Sequence, residues 1–283
     1  MRVSLRRSEA PRGEPPRRSA VSPAVALGTL VVLAPAVLAT DWLARSLESR
    51  NSSNPAETTA EMTWWDVISA VVQHALILAA VLVAVRLATG RIAAPSLGLR
   101  RTPWRPAIAN AAVIYSAYVL LAALASAILG PPPARDSANA LAQVDADSLL
   151  IIYAVTACVL APPIEELFFR GFLFPALRSR LGTVPAVLLA GALFSVAHAA
   201  PPAAMLQLAL LGVTLCTLYQ RTRSLLPGIA VHAAHNAVAF AAITSLSLPA
   251  TIGLMLAAAL TTIAITSAFA VSTHNEPTAT HPA

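Results

Sequence analysis

Long apolar runs, nearly free of charged residues, follow one another through most of this sequence and limit the folds open to it. Hydrophobic residues make up 57% of the chain and charged residues 11%, whereas a soluble domain carries about 25% charged residues. Because a helix closes its backbone hydrogen bonds internally, such runs predict transmembrane helices. The expected fold class is all-α, a polytopic membrane protein with a bundle of about eight transmembrane helices. The runs span residues 21–40, 64–88, 107–129, 148–164, 184–200, 203–219, 225–243 and 247–271.

The two ends of the chain differ from the rest in composition. Residues 1–20 are rich in Arg, Pro and Ser and have too little apolar surface to fold, so we expect a disordered cytoplasmic tail. Residues 21–271 are the expected transmembrane helical domain, and residues 272–283 are expected to be a second disordered tail. A basic start before an apolar run is also typical of a cleaved signal peptide. Because this run is long for one and further runs follow, we expect an uncleaved first span.

The arginines predict how the helices lie in the membrane. The net charge of +6 arises without any lysine, and arginines beside apolar runs face lipid head groups, so we expect contact with the bilayer and no nucleic-acid binding. Cytoplasmic loops carry an excess of positive residues, which predicts a cell-membrane protein with both termini cytoplasmic. On the other side, only Arg45, Arg50 and Arg135 occur, among many acids. The cytoplasmic side receives Arg2, Arg6, Arg7, Arg12, Arg17, Arg18, Arg86, Arg91, Arg100, Arg101, Arg105, Arg178, Arg180, Arg221 and Arg223.

Two adjacent carboxylates and an arginine lie at the end of the fourth apolar run, within residues 161–171. Ionisable residues in membrane segments are costly and are usually functional. Glu166 and Arg170 are four residues apart on one helix face and can pair, whereas Glu165 points about 100° away and needs another partner or a water-filled cavity. Glu165 is therefore a candidate general base. The two prolines before it predict a break, with both glutamates in the first turn of a new helix.

Histidines occur in three of the other apolar runs. His198 closes the fifth run, and His232 and Asn236 lie one helical turn apart in the seventh, where both can donate to one small oxygen. His235 either flanks the same place or packs elsewhere. His74, in the second run, has no companion in the sequence, and we interpret it as a buried histidine with a structural hydrogen bond.

Three short motifs occur in order along these runs. EExxxR is Glu165 to Arg170, FxxxH is Phe194 to His198, and HxxxN is His232 to Asn236. Together they resemble the CPBP family of intramembrane proteases, which contains the CAAX prenyl-protein endopeptidases and bacterial, Abi-like relatives linked to bacteriocin processing or self-immunity. The resemblance covers about residues 148–245.

The resemblance implies an intramembrane endopeptidase, a hydrolase whose catalytic residues correspond to Glu165, His198, His232 and Asn236. Glu165 and His198 would activate a water, and His232 with Asn236 would hold the oxyanion of the tetrahedral intermediate. Glu166 and Arg170 correspond to a supporting ion pair. We expect cleavage near the cytoplasmic face.

The sequence leaves alternatives open for the cofactor, the substrate and the presence of catalytic activity. An older description of the family is metalloprotease, and Glu165, His198 and His232 fit the ligand types of a catalytic zinc site. We favour a mechanism without a cofactor and keep zinc as the alternative. The implied partner is a peptide or protein substrate, prenylated or a bacteriocin-like precursor. The rival readings are a non-catalytic membrane protein on the same scaffold, for immunity or partner binding, and a transporter.

Overall fold

The computed structural model describes residues 21–51, 63–130, 147–200 and 202–270. Within these ranges the chain is helical and contains no strand, which confirms the all-α prediction. Six of the described helices are long and apolar enough to cross a membrane. The two expected tails, 1–20 and 272–283, lie outside the described residues.

The described part of the chain forms eight helical segments. They are α1 (Pro23–Asn51), α2 (Trp64–Thr89), α3 (Trp104–Leu129), α4 (147–181), α5 (Thr183–Ala197), α6 (Pro202–Thr222), α7 (Leu226–Ile243) and α8 (Leu248–Ser267), with a 3-10 turn at Ala94–Leu97. Each helix starts within a few residues of the first residue of a predicted apolar run. The fourth continues well past its predicted end at residue 164.

Contacts between the connections bring one set of helix ends together on a common face. Leu225 N donates to Gly98 O at 2.9 Å, and Arg178 Nη1 donates to Gln220 Oε1 at 2.7 Å. We call this the arginine-rich face, and the other end of the bundle, where α1 ends and α2 begins, the opposite face. The arginine-rich face carries Arg86, Arg91, Arg100, Arg101, Arg105, Arg178, Arg180, Arg221 and Arg223.

The helix break expected at the two prolines of α4 is wrong. Helical backbone runs on through residues 147–181, with π-helical turns at Thr156–Leu160 and Leu167–Leu173. Proline has no N–H to donate, and the chain accommodates the pair by widening the turn before it, where Ala161 N–H bonds Thr156 O, five residues back. The glutamates therefore lie in the middle of a long helix and not at the start of a new one.

Two glycines let α5 and α6 approach closely. A Cβ on Gly212 would lie 2.7 Å from Gly191 Cα, so a side chain at this position would force the helices apart. Small residues at such crossings are common in membrane proteins because they allow backbones to pack directly. The Gly212 carbonyl also accepts a hydrogen bond from Arg170 Nη2 at 3.2 Å, so the crossing helps to fix the arginine of α4.

Candidate functional site

Glu165 lies among three histidines that come from three other helices. His74 of α2 is closest, with Nε2 3.2 Å from Glu165 Oε1. Oε2 of the same carboxylate lies 3.7 Å from His198 Nε2 at the end of α5 and 3.8 Å from His232 Nε2 on α7. The structure thus brings together the candidate base and the histidines of both later motifs.

The three histidines present the same nitrogen to Glu165 because the other nitrogen is engaged. Nδ1 of His74 lies 2.7 Å from Ala70 O, and Nδ1 of His198 lies 2.7 Å from Phe194 O. Nδ1 of His232 lies 3.1 Å from Glu166 Oε1. Carbonyl and carboxylate oxygens only accept, so this pattern assigns the proton of each ring to Nδ1 and leaves each Nε2 to face Glu165.

The two oxygens of Glu165 have different surroundings. Oε1 is within hydrogen-bonding distance of His74, which requires one shared proton between the carboxylate and the ring. Oε2 has no hydrogen-bond partner among the described residues, and its contacts with His198 and His232 are too long for direct hydrogen bonds. Polar groups separated by more than 3.5 Å are commonly bridged by water. Oε2 and the two motif histidines therefore converge at the cavity, where all three can bond to one entering water.

Glu166 and Arg170 form the ion pair that their spacing predicts. Arg170 Nη1 donates to Glu166 Oε1 at 2.7 Å, and both side chains are fully buried. The guanidinium also lies over the Phe194 ring, with Cζ 4.5 Å from its centroid. Gly228 leaves room for the carboxylate, since a Cβ there would lie 3.0 Å from Glu166 Oε2. The pair orients His232 because Glu166 Oε1 also accepts from its Nδ1.

Asn236 is engaged with the backbone of α4. Its Nδ2 donates to Ala157 O at 2.8 Å. This carbonyl lacks a helical donor because residue 162 is proline and Ala161 N–H bonds Thr156 O instead. One N–H of the Asn236 amide therefore supports the π-helical turn, and the second N–H is left for another acceptor in the cavity that the side chain lines.

His74 is the residue of this cluster that the sequence interpretation missed. His74 has no companion in the sequence, but in the structure it contacts Glu165 at 3.2 Å, closer than either motif histidine, in addition to its hydrogen bond with Ala70 O. The only available signal was the general one, a polar residue inside an apolar helix. His235, by contrast, packs against α3, where Tyr115 Oη lies 3.1 Å from its Nδ1 and Tyr118 stacks edge-on to its ring.

A cavity of about 340 Å³ leads to Glu165 and includes Asn236 and all three histidines of the cluster. Beyond them it is lined mainly by apolar residues of α4, α6 and α7. It lies between Glu165 and the opposite face of the bundle, while the residues toward the arginine-rich face are tightly buried.

The cluster was also considered as a metal centre, because its residue types match those of catalytic zinc sites. Among the residues that the structure describes, no group of three or more His, Cys, Asp and Glu side chains is disposed to hold a metal ion.

Comparison with known protein families agrees with the three motifs. Residues 147–238, about a third of the chain, match the family model described as type II CAAX prenyl endopeptidase Rce1-like. This range contains all three motifs and confirms the resemblance to the CPBP family over the segment that carries them. No curated protein and no solved structure matches the chain.

Proposed function

We propose that this polytopic membrane protein, whose residues 147–238 match the Rce1-like endopeptidases, hydrolyses a peptide bond with a water activated by Glu165. The observation that carries the proposal is the free oxygen of Glu165. Oε2 has no hydrogen-bond partner among the described residues, yet it lies 3.7 and 3.8 Å from two histidine nitrogens in a residue that lines a cavity. Buried polar groups are nearly always satisfied, so this geometry is typical of a site that receives a ligand.

In the proposed reaction a water enters from the cavity and bonds to Glu165 Oε2 and His198 Nε2, both of which can accept its protons. Glu165 takes one proton as the water oxygen attacks the carbonyl carbon, and the carbonyl electron pair moves to the oxygen, giving a tetrahedral oxyanion. The proton then passes to the leaving amine as the C–N bond breaks. General-base catalysis of this kind contributes about 10²- to 10⁴-fold in rate.

The oxyanion would be held by the free N–H of Asn236 and by His232. Since Nδ1 of His232 already donates to Glu166, its Nε2 can donate only if the ring is protonated. Glu166 is placed to stabilise that positive charge, as carboxylates do for catalytic imidazoles. His74 would then act as a positioning residue that fixes Glu165 through Oε1.

The rival reading, a non-catalytic immunity or partner-binding protein, makes a different prediction for this cluster. Polar side chains that only hold helices together should satisfy one another, because partly satisfied buried networks are unfavourable. Glu166 and Arg170 pair at 2.7 Å, although Glu166 Oε2 and Arg170 Nε have no hydrogen-bond partner among the described residues. Glu165 differs from them because its side chain lines the cavity, where a ligand can reach it.

Purified protein in detergent is expected to hydrolyse an internally quenched apolar peptide, and to do so without bound metal. The physical reason is that Glu165 serves as the base and needs no Lewis acid to lower the pKa of the water. Elemental analysis of the active preparation and a chelator titration check this. About one zinc per chain, with activity lost on chelation and restored by zinc, would replace the proposed mechanism by the zinc alternative at Glu165, His198 and His232.

Replacement of Asn236 by Ala is expected to reduce both rate and stability. Loss of one oxyanion donor lowers kcat by about 100- to 1000-fold. Loss of the donor to Ala157 O leaves a carbonyl unsatisfied, at a cost of about 1–3 kcal/mol. Initial rates and thermal unfolding in detergent measure the two effects.

The matched control for Asn236 is Asn110→Ala. Asn110 Nδ2 also donates to a backbone carbonyl, Pro106 O, at 2.7 Å, but on α3 and away from the cavity. This variant should keep the rate of the unaltered protein. A normal rate in Asn236→Ala would contradict the oxyanion role and leave only the structural one.

A further inference from the structure

We propose that the cavity is reached from the extracytoplasmic side, and that its substrate is an uncharged, apolar polypeptide segment at the outer end of a membrane-spanning helix. This inference rests on the endopeptidase function proposed above and assigns its substrate class. It differs from what a prenylated, cytoplasmic chain terminus would require. Three independent features support it, namely where the lining residues lie along their helices, what seals the other side, and how the arginines are distributed.

The lining residues of α4 and α7 extend from the catalytic cluster in one direction only. On α4 they all precede Glu165, as far as Tyr153, and on α7 those beyond His232 all follow it, as far as Ile243. Helical rise places Tyr153 about 18 Å from Glu165 and Ile243 about 16 Å from His232. Because α4 runs toward the arginine-rich face and α7 runs away from it, both directions lead to the opposite face.

The remaining helices give the same direction. On α2 the cavity includes Ala70, which precedes His74 and is nearer to the opposite face. On α6 it includes Leu208 and Leu211, which precede the Gly212 carbonyl that binds Arg170. The exception is Phe194, which lies on the arginine-rich side of His198 and is fully buried, so that it forms the floor of the cavity.

The arginine-rich side of Glu165 is closed by packed protein. In α4, residues 166–174 are all buried, beginning with Glu166 and Arg170 at 0% exposure. The start of α7 is equally closed, since residues 224–229 are all buried. A polypeptide coming from the arginine-rich face would have to displace this packing and a desolvated ion pair. From the opposite side it meets His198, whose side chain is 31% exposed at the end of α5.

The arginine distribution indicates which face of the bundle lies on the cytoplasmic side of the membrane. The described helix ends and connections at the arginine-rich face carry nine arginines outside the catalytic cluster, whereas the opposite end of α1 carries Arg45 and Arg50. An excess of arginine marks the cytoplasmic side of a membrane protein. The closed face is therefore cytoplasmic and the cavity opens outward.

The chemistry of the cavity wall indicates what it can bind. Apart from the catalytic cluster, the wall contains no charged side chain among the described residues and is formed by groups such as Tyr153, Leu208, Leu211, Phe240 and Ile243. Burying a charge against such a wall is costly, whereas apolar side chains gain from it. The substrate residues flanking the cleaved bond should therefore be apolar, as at the end of a membrane-spanning helix that has locally unwound.

Cysteine labelling tests the side of access without depending on catalysis. Cys158 and Cys216 are both buried and provide a low background. Ala239→Cys, at an exposed position of the cavity wall, should react with a membrane-impermeant sulfonated maleimide in intact spheroplasts. Ser179→Cys, exposed between two arginines of α4, is the matched control and should react only in inside-out vesicles. Labelling of Ala239→Cys only from the inside, or from neither side, would overturn the proposal.

Blocking the cavity mouth tests whether substrate uses it. In proteoliposomes supplied with an external quenched apolar peptide, a bulky maleimide on Ala239→Cys should remove at least 90% of its own unlabelled hydrolysis. The same reagent on Ser179→Cys should leave hydrolysis unchanged. The reverse result would overturn the assigned access. If neither variant cleaves the peptide before labelling, the endopeptidase function fails, while the labelling pattern still reports the side to which the cavity opens.

Topology reporters provide a separate check on the arginine rule. A reporter fused after residue 55 should be extracytoplasmic, and one fused after residue 95 should be cytoplasmic. The opposite pattern would turn the cavity toward the cytoplasm and would overturn the substrate class with it.

Discussion

Replacement of Glu165 by Gln is expected to abolish turnover while the protein stays as stable as the unaltered chain in detergent. Glutamine has nearly the same shape and can still hydrogen-bond to His74 Nε2 through its amide, but it cannot take a proton from water. Loss of a general base costs about 10²- to 10⁴-fold in rate. Removal of a negative charge from a site that is mostly buried should not weaken folding. Initial rates on the quenched peptide and thermal unfolding measure the two properties.

Glu166→Gln is the matched control for this variant, because it makes the same chemical change one residue away. Glu166 Oε1 is paired with Arg170 and with His232 Nδ1. Its loss should lower stability and yield, because Arg170 would lose its counter-ion in a fully buried position. A normal rate in Glu165→Gln would end the general-base assignment, whatever the control does.

The membrane helices could be predicted from the sequence because a chain that crosses the hydrocarbon of a bilayer must satisfy its backbone hydrogen bonds internally. Apolar runs located the starts of all eight described helices. The end of α4 could not be found in this way, since Arg170, Arg178 and Arg180 lower the apolarity of a helix that continues to residue 181. The consequence of the two prolines was also misjudged. Their missing donors are compensated by a wider turn and by Asn236, a residue on another helix.

The candidate site was predictable only where its contacts join residues that are close in sequence. Glu166 and Arg170 are one turn apart, so helical geometry alone predicts their pairing. The contact between His74 and Glu165 joins residues far apart in sequence and depends on how α2 packs against α4. No local pattern contains that information. The direction of the cavity is not contained in a local pattern either, because it follows from the combined positions of residues on α2, α4, α6 and α7.

Replacement of Arg170 by Ala is expected to cause the largest loss of stability in the chain. Arg170 and Glu166 are both fully buried, so the change leaves a carboxylate uncompensated, which costs about 3–5 kcal/mol. Gly212 O loses its donor as well, and the Phe194 ring loses the cation above it. Thermal unfolding in detergent and the yield of folded protein should both fall.

Two companion variants separate charge from shape at this position. Arg170→Lys keeps the charge but has no planar fork to reach Glu166 Oε1 and Gly212 O together, so it should recover only part of the loss. The double variant Glu166→Gln with Arg170→Met removes both charges and should be more stable than Arg170→Ala, because the cost arises from the unpaired charge. It should nevertheless turn over slowly, since His232 loses the carboxylate that orients its ring. An Arg170→Ala protein as stable as the unaltered chain would show that Glu166 is not held as a buried carboxylate.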